Sequence, residues 1–277
     1  MNIITIDGNH DFIIIVPTKN IKSKLAEDFI TKIKSISYFN PMIIMIESSG
    51  NEFHFSKNMN LGIKHALKYS PRYIALSNDD VRPLEEDWDY NLIRKIVENK
   101  LAYISPLFID NGGNKVGPNI NMPSYSMILL FTTFYQFIPF FTFPFIRKVS
   151  TILSNKEDKI PKERTFSGII NSQPFSIFDA NILKFVRGFD EEFINGCEDF
   201  ELTLRIYSLG LTVGYDTTVK FLNLLSATKG KGGFSILDRR DRTHIQQIEN
   251  WKTLIRKYKK HDYKRYIKFR NNIIMFS

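Results

Sequence analysis

Three short runs of apolar, mostly β-branched or aromatic residues constrain this chain most: Phe12-Ile13-Ile14-Ile15-Val16, Met42-Ile43-Ile44-Met45-Ile46 and Tyr73-Ile74-Ala75-Leu76-Ser77. They recur roughly every 30 residues, the length of one strand–helix–strand unit. None alternates with polar residues, so each reads as a strand covered on both faces, as in a parallel sheet. Between the first two runs, Leu25, Phe29, Ile33 and Ile36 fall on one helical face, with Ser23 as N-cap. Between the second and third, residues 57–69 read as a helix, with Leu61, Ala66 and Leu67 as apolar contacts. The β-α-β-α-β order predicts an α/β fold: a mostly parallel, Rossmann-like central sheet flanked by helices. Ligands of such sheets sit beyond the carboxyl ends of the strands. Thr18, Glu47 and the pair Asp79-Asp80 each follow a strand end and are expected to share one crevice.

Several functions are disfavoured. The first strand is not followed by G-x-G-x-x-G or by a phosphate-binding Walker loop, which argues against a nicotinamide enzyme and a P-loop ATPase. The single cysteine, Cys197, excludes an internal disulfide and a cysteine-based zinc cluster and suggests a reducing compartment. Residues 1–10 lack the layout of a signal peptide, and a cytoplasmic protein is expected. The net charge of +9 fits nucleic acid, an anionic membrane surface or phosphorylated small molecules, and by itself does not choose among them.

Asn78-Asp79-Asp80 ends an apolar strand with two carboxylates, the usual ligands of Mg²⁺ or Mn²⁺ beside substrate phosphates. Alone, such a pair is more often a solvated turn. Downstream, Gly188-Phe189-Asp190-Glu191 precedes Glu198-Asp199, where a helix with Leu202, Ile206 and Leu209 on one face begins and Gly210 ends it. Glu198, Asp199 and Glu201 then lie at a helix N-terminus, where the macrodipole favours carboxylates. Alone, this is helix capping.

The ordered set is more specific than its parts. It comprises Ile15-Val16-Pro17-Thr18, then Asn58, Asn60, Leu61, Gly62 and Ile63, then Leu76-Ser77-Asn78-Asp79-Asp80-Val81, Gly188-Phe189-Asp190-Glu191, and Glu198-Asp199 with Leu202 and Arg205. Over residues 12–226 it resembles family 2 glycosyltransferases, which have a GT-A-type fold, and in flavour their rhamnosyltransferase-like members. The resemblance implies an inverting transferase that moves a sugar from a nucleotide-diphosphate donor to an acceptor hydroxyl on a glycan or lipid-linked sugar. It implies that Pro17, Thr18, Glu47, Asn58 and Asp79 meet the donor nucleotide, and that Asp80, with Asp79, holds Mn²⁺ or Mg²⁺ on the diphosphate. It implies Asp199 as catalytic base, with Glu198 orienting it or binding the acceptor. The chain departs twice from the family pattern. Glu47 stands where members often carry Asp, and Asn223, a weaker oxygen ligand, stands where metal-dependent members carry a histidine.

Residues 125–146 form an uncharged, aromatic stretch that reaches the length of about 20 residues needed to span a bilayer. Pro139 and Pro144 break it, and a span there would put Asp79-Asp80 and Asp199 on opposite sides. It reads as an insertion packed on the core or between copies of a homo-oligomer, or as a surface entering the membrane interface. In the C-terminal segment, Trp251, Leu254, Ile255 and Tyr258 alternate with Lys252, Arg256 and Lys257, and more basic and aromatic residues follow. A helix packed back on the catalytic domain is expected for residues 251–258, and an anionic membrane contact beyond residue 261. The expected organisation is a catalytic domain over 1–228, with the aromatic insertion at 124–148, then a Gly/Lys-rich loop and basic tail over 229–277. Competing readings are a nucleotidyltransferase on a related sheet, which fits Gly188 to Asp199 poorly, and a non-catalytic membrane- or nucleic-acid-binding protein. Retention of Asp79, Asp80 and Asp199 together speaks against the latter, and no nucleic-acid partner is expected.

Overall fold

The three apolar runs form adjacent strands: β2 (Asn9–Thr18), β3 (Pro41–Glu47) and β4 (Tyr73–Ser77), with β2 pairing in parallel with both others. This is a computed structural model that describes residues 1–50, 53–115, 165–166, 174–194, 196–224 and 249–257. The remaining elements are β1 (Asn2–Ile6), α1 (Lys24–Ile36), α2 (Phe55–Ala66), β5 (Val81–Pro83), α3 (Trp88–Asn99), β6 (Leu101–Ile109) and β7 (Thr165–Phe166). They continue with β8 (Phe175–Asp179), α4 (Ala180–Phe185), α5 (Glu198–Ser208), β9 (Thr212–Asn223) and a helix α6 over 249–257. The strands join in the order β1-β3-β2-β4-β8-β6-β9-β5, with β7 also on β9. The sheet is mixed. Its parallel part is the β3-β2-β4 group, whose connections run through α1 and α2, together with the β6-β9 pair. β8 enters antiparallel between β4 and β6.

The uninterrupted strand runs have the cause expected of them. Phe12, Ile14 and Val16 face one core with Ala26, Phe29 and Ile33 of α1 and Trp88, Leu92 and Ile96 of α3. Ile13 and Ile15 face a second core with Met59 and Ile63 of α2, Leu183 of α4 and Leu202 and Ile206 of α5. With helices on both sheet faces, residues 12–16 and 42–46 are removed from water, at roughly 1.5–3 kcal/mol for each large side chain. Helix α1 starts where the sequence places its cap: Ser23 Oγ accepts from Ala26 N–H at 3.2 Å. Gly62 lets α2 lie on the sheet, because a Cβ there would sit 2.3 Å from Ile15 Cγ2.

Helix α5 differs in one detail from expectation. Leu202 and Ile206 are buried, but Leu209 lies just past the helix end and is 44% exposed; Gly210 at φ 74° then turns the chain. Helix α6 packs back on the body, as expected for residues 251–257, with Leu254 fully buried against Phe193, Cys197 and Leu204. The aromatic stretch 125–146, the Gly/Lys-rich loop 229–233 and the tail beyond 257 lie outside the described residues. Among the described residues, no helix is long and apolar enough to cross a membrane.

Candidate active site

Parallel register brings the ends of β2, β3 and β4 to one edge of the sheet. Thr18 pairs with Glu47, and Ser48 N–H continues the ladder by donating to the Thr18 carbonyl at 3.0 Å. Across to β4, the Thr18 hydroxyl donates to Asp79 Oδ2 at 2.8 Å. Pro17, Thr18, Asp79 and Asp80 are all buried. Burial raises the Asp79 carboxyl above its ordinary value, and the Thr18 hydrogen bond opposes that shift. Arg82 braces the turn from below: Nη1 donates to the Asp79 and Val81 carbonyls, and Nη2 to the Leu25 carbonyl in α1, each at 2.7 Å.

The Asp80 carbonyl accepts from Leu224 N–H at 2.9 Å, and Val81 pairs with Asn223 where β5 joins β9. The structure therefore brings the end of β9, more than 140 residues along the chain, against the acidic turn. Among the described residues no three His, Cys, Asp or Glu side chains gather into a metal cluster. Backbone pairing sets Asn223 beside the two carboxylates of this turn. These are hard oxygen donors, the chemistry that Mg²⁺ or Mn²⁺ shares with substrate phosphates, so the residues present fit such an ion.

Glu47 and Asn58 bond to the loops next to Thr18. Glu47 accepts from Ile21 N–H at 3.1 Å and from Asn2 Nδ2 at 3.2 Å, and these bonds hold its carboxyl below the usual range. It thereby fixes the loop between Thr18 and α1. Asn58, in the first turn of α2, is fully buried and donates from Nδ2 to Ser48 Oγ at 2.6 Å. Its Oδ1 has no hydrogen-bond partner among the described residues. Asn58 thereby holds Ser48, the residue that follows Glu47.

The second acidic group arrives by another route. After α4, the turn at Gly188 and residues 189–194 pass along α2 against its direction: Gly188 lies by Ile63 and Asn60, Phe189 by Asn60, and Phe193 by Ser56. Gly188 has φ 66°, and a Cβ there would meet Asn60 Oδ1 at 2.4 Å, so only glycine fits without strain. Helix α5 then runs back across the sheet. Its last turn leads into Thr212, which pairs with Leu101 at the start of β6, and Thr203 meets the Tyr103 hydroxyl at 2.8 Å. Its N-terminus thus points to the edge where β2 and β4 end, the edge that holds Thr18 and Asp79-Asp80.

Cys197 precedes the helix in the left-handed region, at φ 66°. Glu198 is buried, and its Oε2 accepts from Gly196 N–H. Burial, with the Asp199 charge beside it, pushes the Glu198 carboxyl up to about 8. Asp199 is half-buried; its Oδ1 accepts from Phe200 N–H, and its carbonyl accepts from Thr203, which also meets Tyr103. Arg205 locks the helix to the preceding turn by donating to the Val186 and Gly188 carbonyls and pairing with Glu201.

Sequence reasoning did not single out Ser48, Arg82, Tyr103 or Thr203 for the site. Arg82 left a usable signal: an arginine directly after an acidic turn, inside a short strand, has to find acceptors. A Tyr–Thr contact spanning 100 residues leaves none.

No family model and no curated protein matches the chain. Among solved structures, mannosyltransferase PcManGT from Pyrobaculum calidifontis, in complex with GDP-Man and Mn²⁺, aligns with a TM-score of 0.52 at 12% identity, over 95% of this chain and 72% of that one. S. aureus TarS 1–349 in complex with UDP aligns with a TM-score of 0.48 at 13% identity, over 78% of this chain and 61% of that one. S. aureus TarS 1–349 by itself gives 0.47 at 13%, over 77% and 60%, so the chain spans about 60% of TarS 1–349. The protein has an α/β fold of the kind seen in the mannosyltransferase.

Proposed function

We propose that the chain is an inverting glycosyltransferase of the family 2 type, acting on a nucleotide-diphosphate sugar. One observation carries this reading: the register of β2, β4, β5 and β9 gathers Thr18, Asp79, Asp80 and Asn223 at the sheet edge toward which the Glu198-Asp199 helix end points. A fold shared with a mannosyltransferase that holds GDP-Man and Mn²⁺ supports it.

In this reading the donor nucleotide lies over Pro17, Thr18 and the Glu47–Ser48 turn, with Asn58 holding Ser48 in place. Asp80, Asp79 and Asn223 would hold Mn²⁺ or Mg²⁺. When bound, the ion neutralises charge on the departing diphosphate. Asp199 removes the proton of an acceptor hydroxyl, on a glycan or lipid-linked sugar, while that oxygen attacks the anomeric carbon opposite the diphosphate. The hexosyl or deoxyhexosyl group inverts in this single displacement. Burial and the Asp199 charge beside it raise the Glu198 carboxyl to about 8, which favours its neutral form next to the base. We assign the catalytic unit to residues 1–228, with α6 fastened to it. Peripheral membrane contact is proposed for the tail beyond residue 261; the aromatic stretch 125–146 either joins it or packs on the core or in an oligomer interface.

A thermal-shift panel tests the reading. UDP-, GDP- and dTDP-sugars with Mn²⁺ are expected to raise the melting temperature, one base clearly above the others. Asp80→Ala should weaken that donor on the order of 10-fold to 100-fold, since it removes a charged ligand. Stabilisation by DNA alone, or an Asp80→Ala donor affinity unchanged with and without Mn²⁺, would refute it.

A further inference from the structure

We propose that α6 is a strap that fixes the register of residues 189–197, and that Asn250 is thereby a positioning residue for the Glu198-Asp199 pair; this rests on the role given to that pair above. Residues 189–194 belong to no strand, yet their backbone is bonded as if they did. On one side the Asn60 amide of α2 accepts from Phe189 N–H at 2.8 Å and donates to the Phe189 carbonyl at 2.9 Å. On the other, the Asn250 amide of α6 accepts from Ile194 N–H at 3.1 Å and donates to the Ile194 carbonyl at 2.8 Å. Each fork supplies the two bonds that a neighbouring strand would give one residue. The Ser56 hydroxyl adds a bond to the Phe193 carbonyl at 2.9 Å.

Side-chain anchors accompany the forks. Lys257 of α6 pairs with Asp190 and Glu192, Arg256 pairs with Glu192, and Trp251 stacks near Phe200 of α5 with centroids 5.9 Å apart. Leu254 closes the core over Phe193, Cys197 and Leu204. Leu254 alone would give cohesion without register. The Asn250 fork adds register, because a one-residue slip leaves both polar groups of Ile194 unmatched beside a side chain that is only 1% exposed. That register sets where Gly196 and Cys197 fall, and so where Glu198 and Asp199 enter α5.

Cys197 makes the strap measurable without any enzymatic assay. It is the only cysteine in the chain and is 4% exposed beneath Leu254. Its labelling by an aromatic disulfide reagent, well below the melting temperature, reports opening of this segment. Asn250→Ala should label at least tenfold faster than wild type, while Arg94→Ala, on the opposite sheet face, should not differ. For the best donor in the panel, kcat of Asn250→Ala should fall tenfold or more with donor KM within twofold. Asn250→Asp, which keeps the acceptor and loses the donor, should lie between in both readouts. An unchanged labelling rate overturns the strap. Faster labelling with wild-type kcat overturns the positioning role. Faster labelling in a protein whose wild type transfers no sugar supports the strap and overturns the transferase reading alone.

Discussion

The two halves of the candidate site are built by different means. The half proposed to hold the donor, Thr18, Glu47, Ser48 and Asp79-Asp80, stands at the ends of parallel strands: the backbone ladder sets Thr18 against Glu47, and the Thr18 hydroxyl and Arg82 hold the Asp79 turn. The half proposed to carry the base, Gly188 to Asp199, has no ladder. It is held by the amides of Asn60 and Asn250, the Ser56 hydroxyl and ion pairs to Lys257, and it passes through positive φ at Arg187, Gly188 and Cys197. Strand pairing dominates the first half, and side-chain bonds, beside local turns such as Gly188 N–H to the Leu183 carbonyl, dominate the second. Substitutions should therefore have local effects on the first and register effects on the second.

The largest expected effect tests whether the base half performs the chemistry at all. Asp199→Asn keeps the shape and removes the proton acceptor. Transfer should fall by about 10³-fold, within the usual range for a general base, with donor affinity within twofold by calorimetry. Transfer at the wild-type rate would remove Asp199 from its role. Glu198→Gln comes next and concerns stability. The Glu198 carboxyl is raised to about 8 in the folded protein, so the folded state keeps a proton that the unfolded chain has already released. Its contribution is therefore fully present below the ordinary carboxylate value and is lost as pH rises through about 8. Urea midpoints of the wild type should fall from pH 5 to pH 8.5. Glu198→Gln should flatten that fall by on the order of 2 kcal/mol. Parallel pH profiles would show that the group is not held protonated.

The contrast also explains what could be read from the sequence. The runs at 12–16, 42–46 and 73–77 are local patterns whose faces are both covered, so their strand identity and the shared edge of Thr18, Glu47 and Asp79 followed from them, while the place of β2 between the other two did not. The antiparallel entry of β8 between β4 and β6 did not, because Phe175–Asp179 has the same apolar character whichever way it runs. In the base half, Gly188 and Glu198-Asp199 were visible as motif residues. Their supports were less so: Asn60 was visible as a motif residue of α2 but not as the partner of Phe189, 129 positions away, and Asn250, which reaches Ile194 across 56, does not differ in sequence from a surface residue.

Two smaller effects separate the halves further. Gly188→Ala adds a Cβ 2.4 Å from Asn60 Oδ1 at φ 66°, whereas Gly210→Ala, at φ 74°, meets nothing within 4 Å. Both carry the left-handed backbone cost of about 1–2 kcal/mol. The excess loss of Gly188→Ala, about 1 kcal/mol or more by denaturant titration, measures the Asn60 fork. Equal losses would mean that α2 yields freely and the fork fixes nothing.

Thr18→Val should give the smallest effect and makes the sharpest comparison. It removes the hydroxyl that donates to Asp79 Oδ2 at 2.8 Å while keeping the side chain's size. The buried carboxylate loses a bond worth about 1 kcal/mol, and the urea midpoint at pH 7.5 should drop accordingly. Because the ladder still holds Thr18 against Glu47 and Ile15 against Leu76, the loss should stay in the donor half. Cys197 labelling in Thr18→Val should match wild type, and a Thr18→Val/Asn250→Ala double variant should show additive stability losses, as distant sites without shared partners do. Faster labelling in Thr18→Val would mean that the two halves move as one body, and that the strand ends, not the side-chain forks, determine where the base stands.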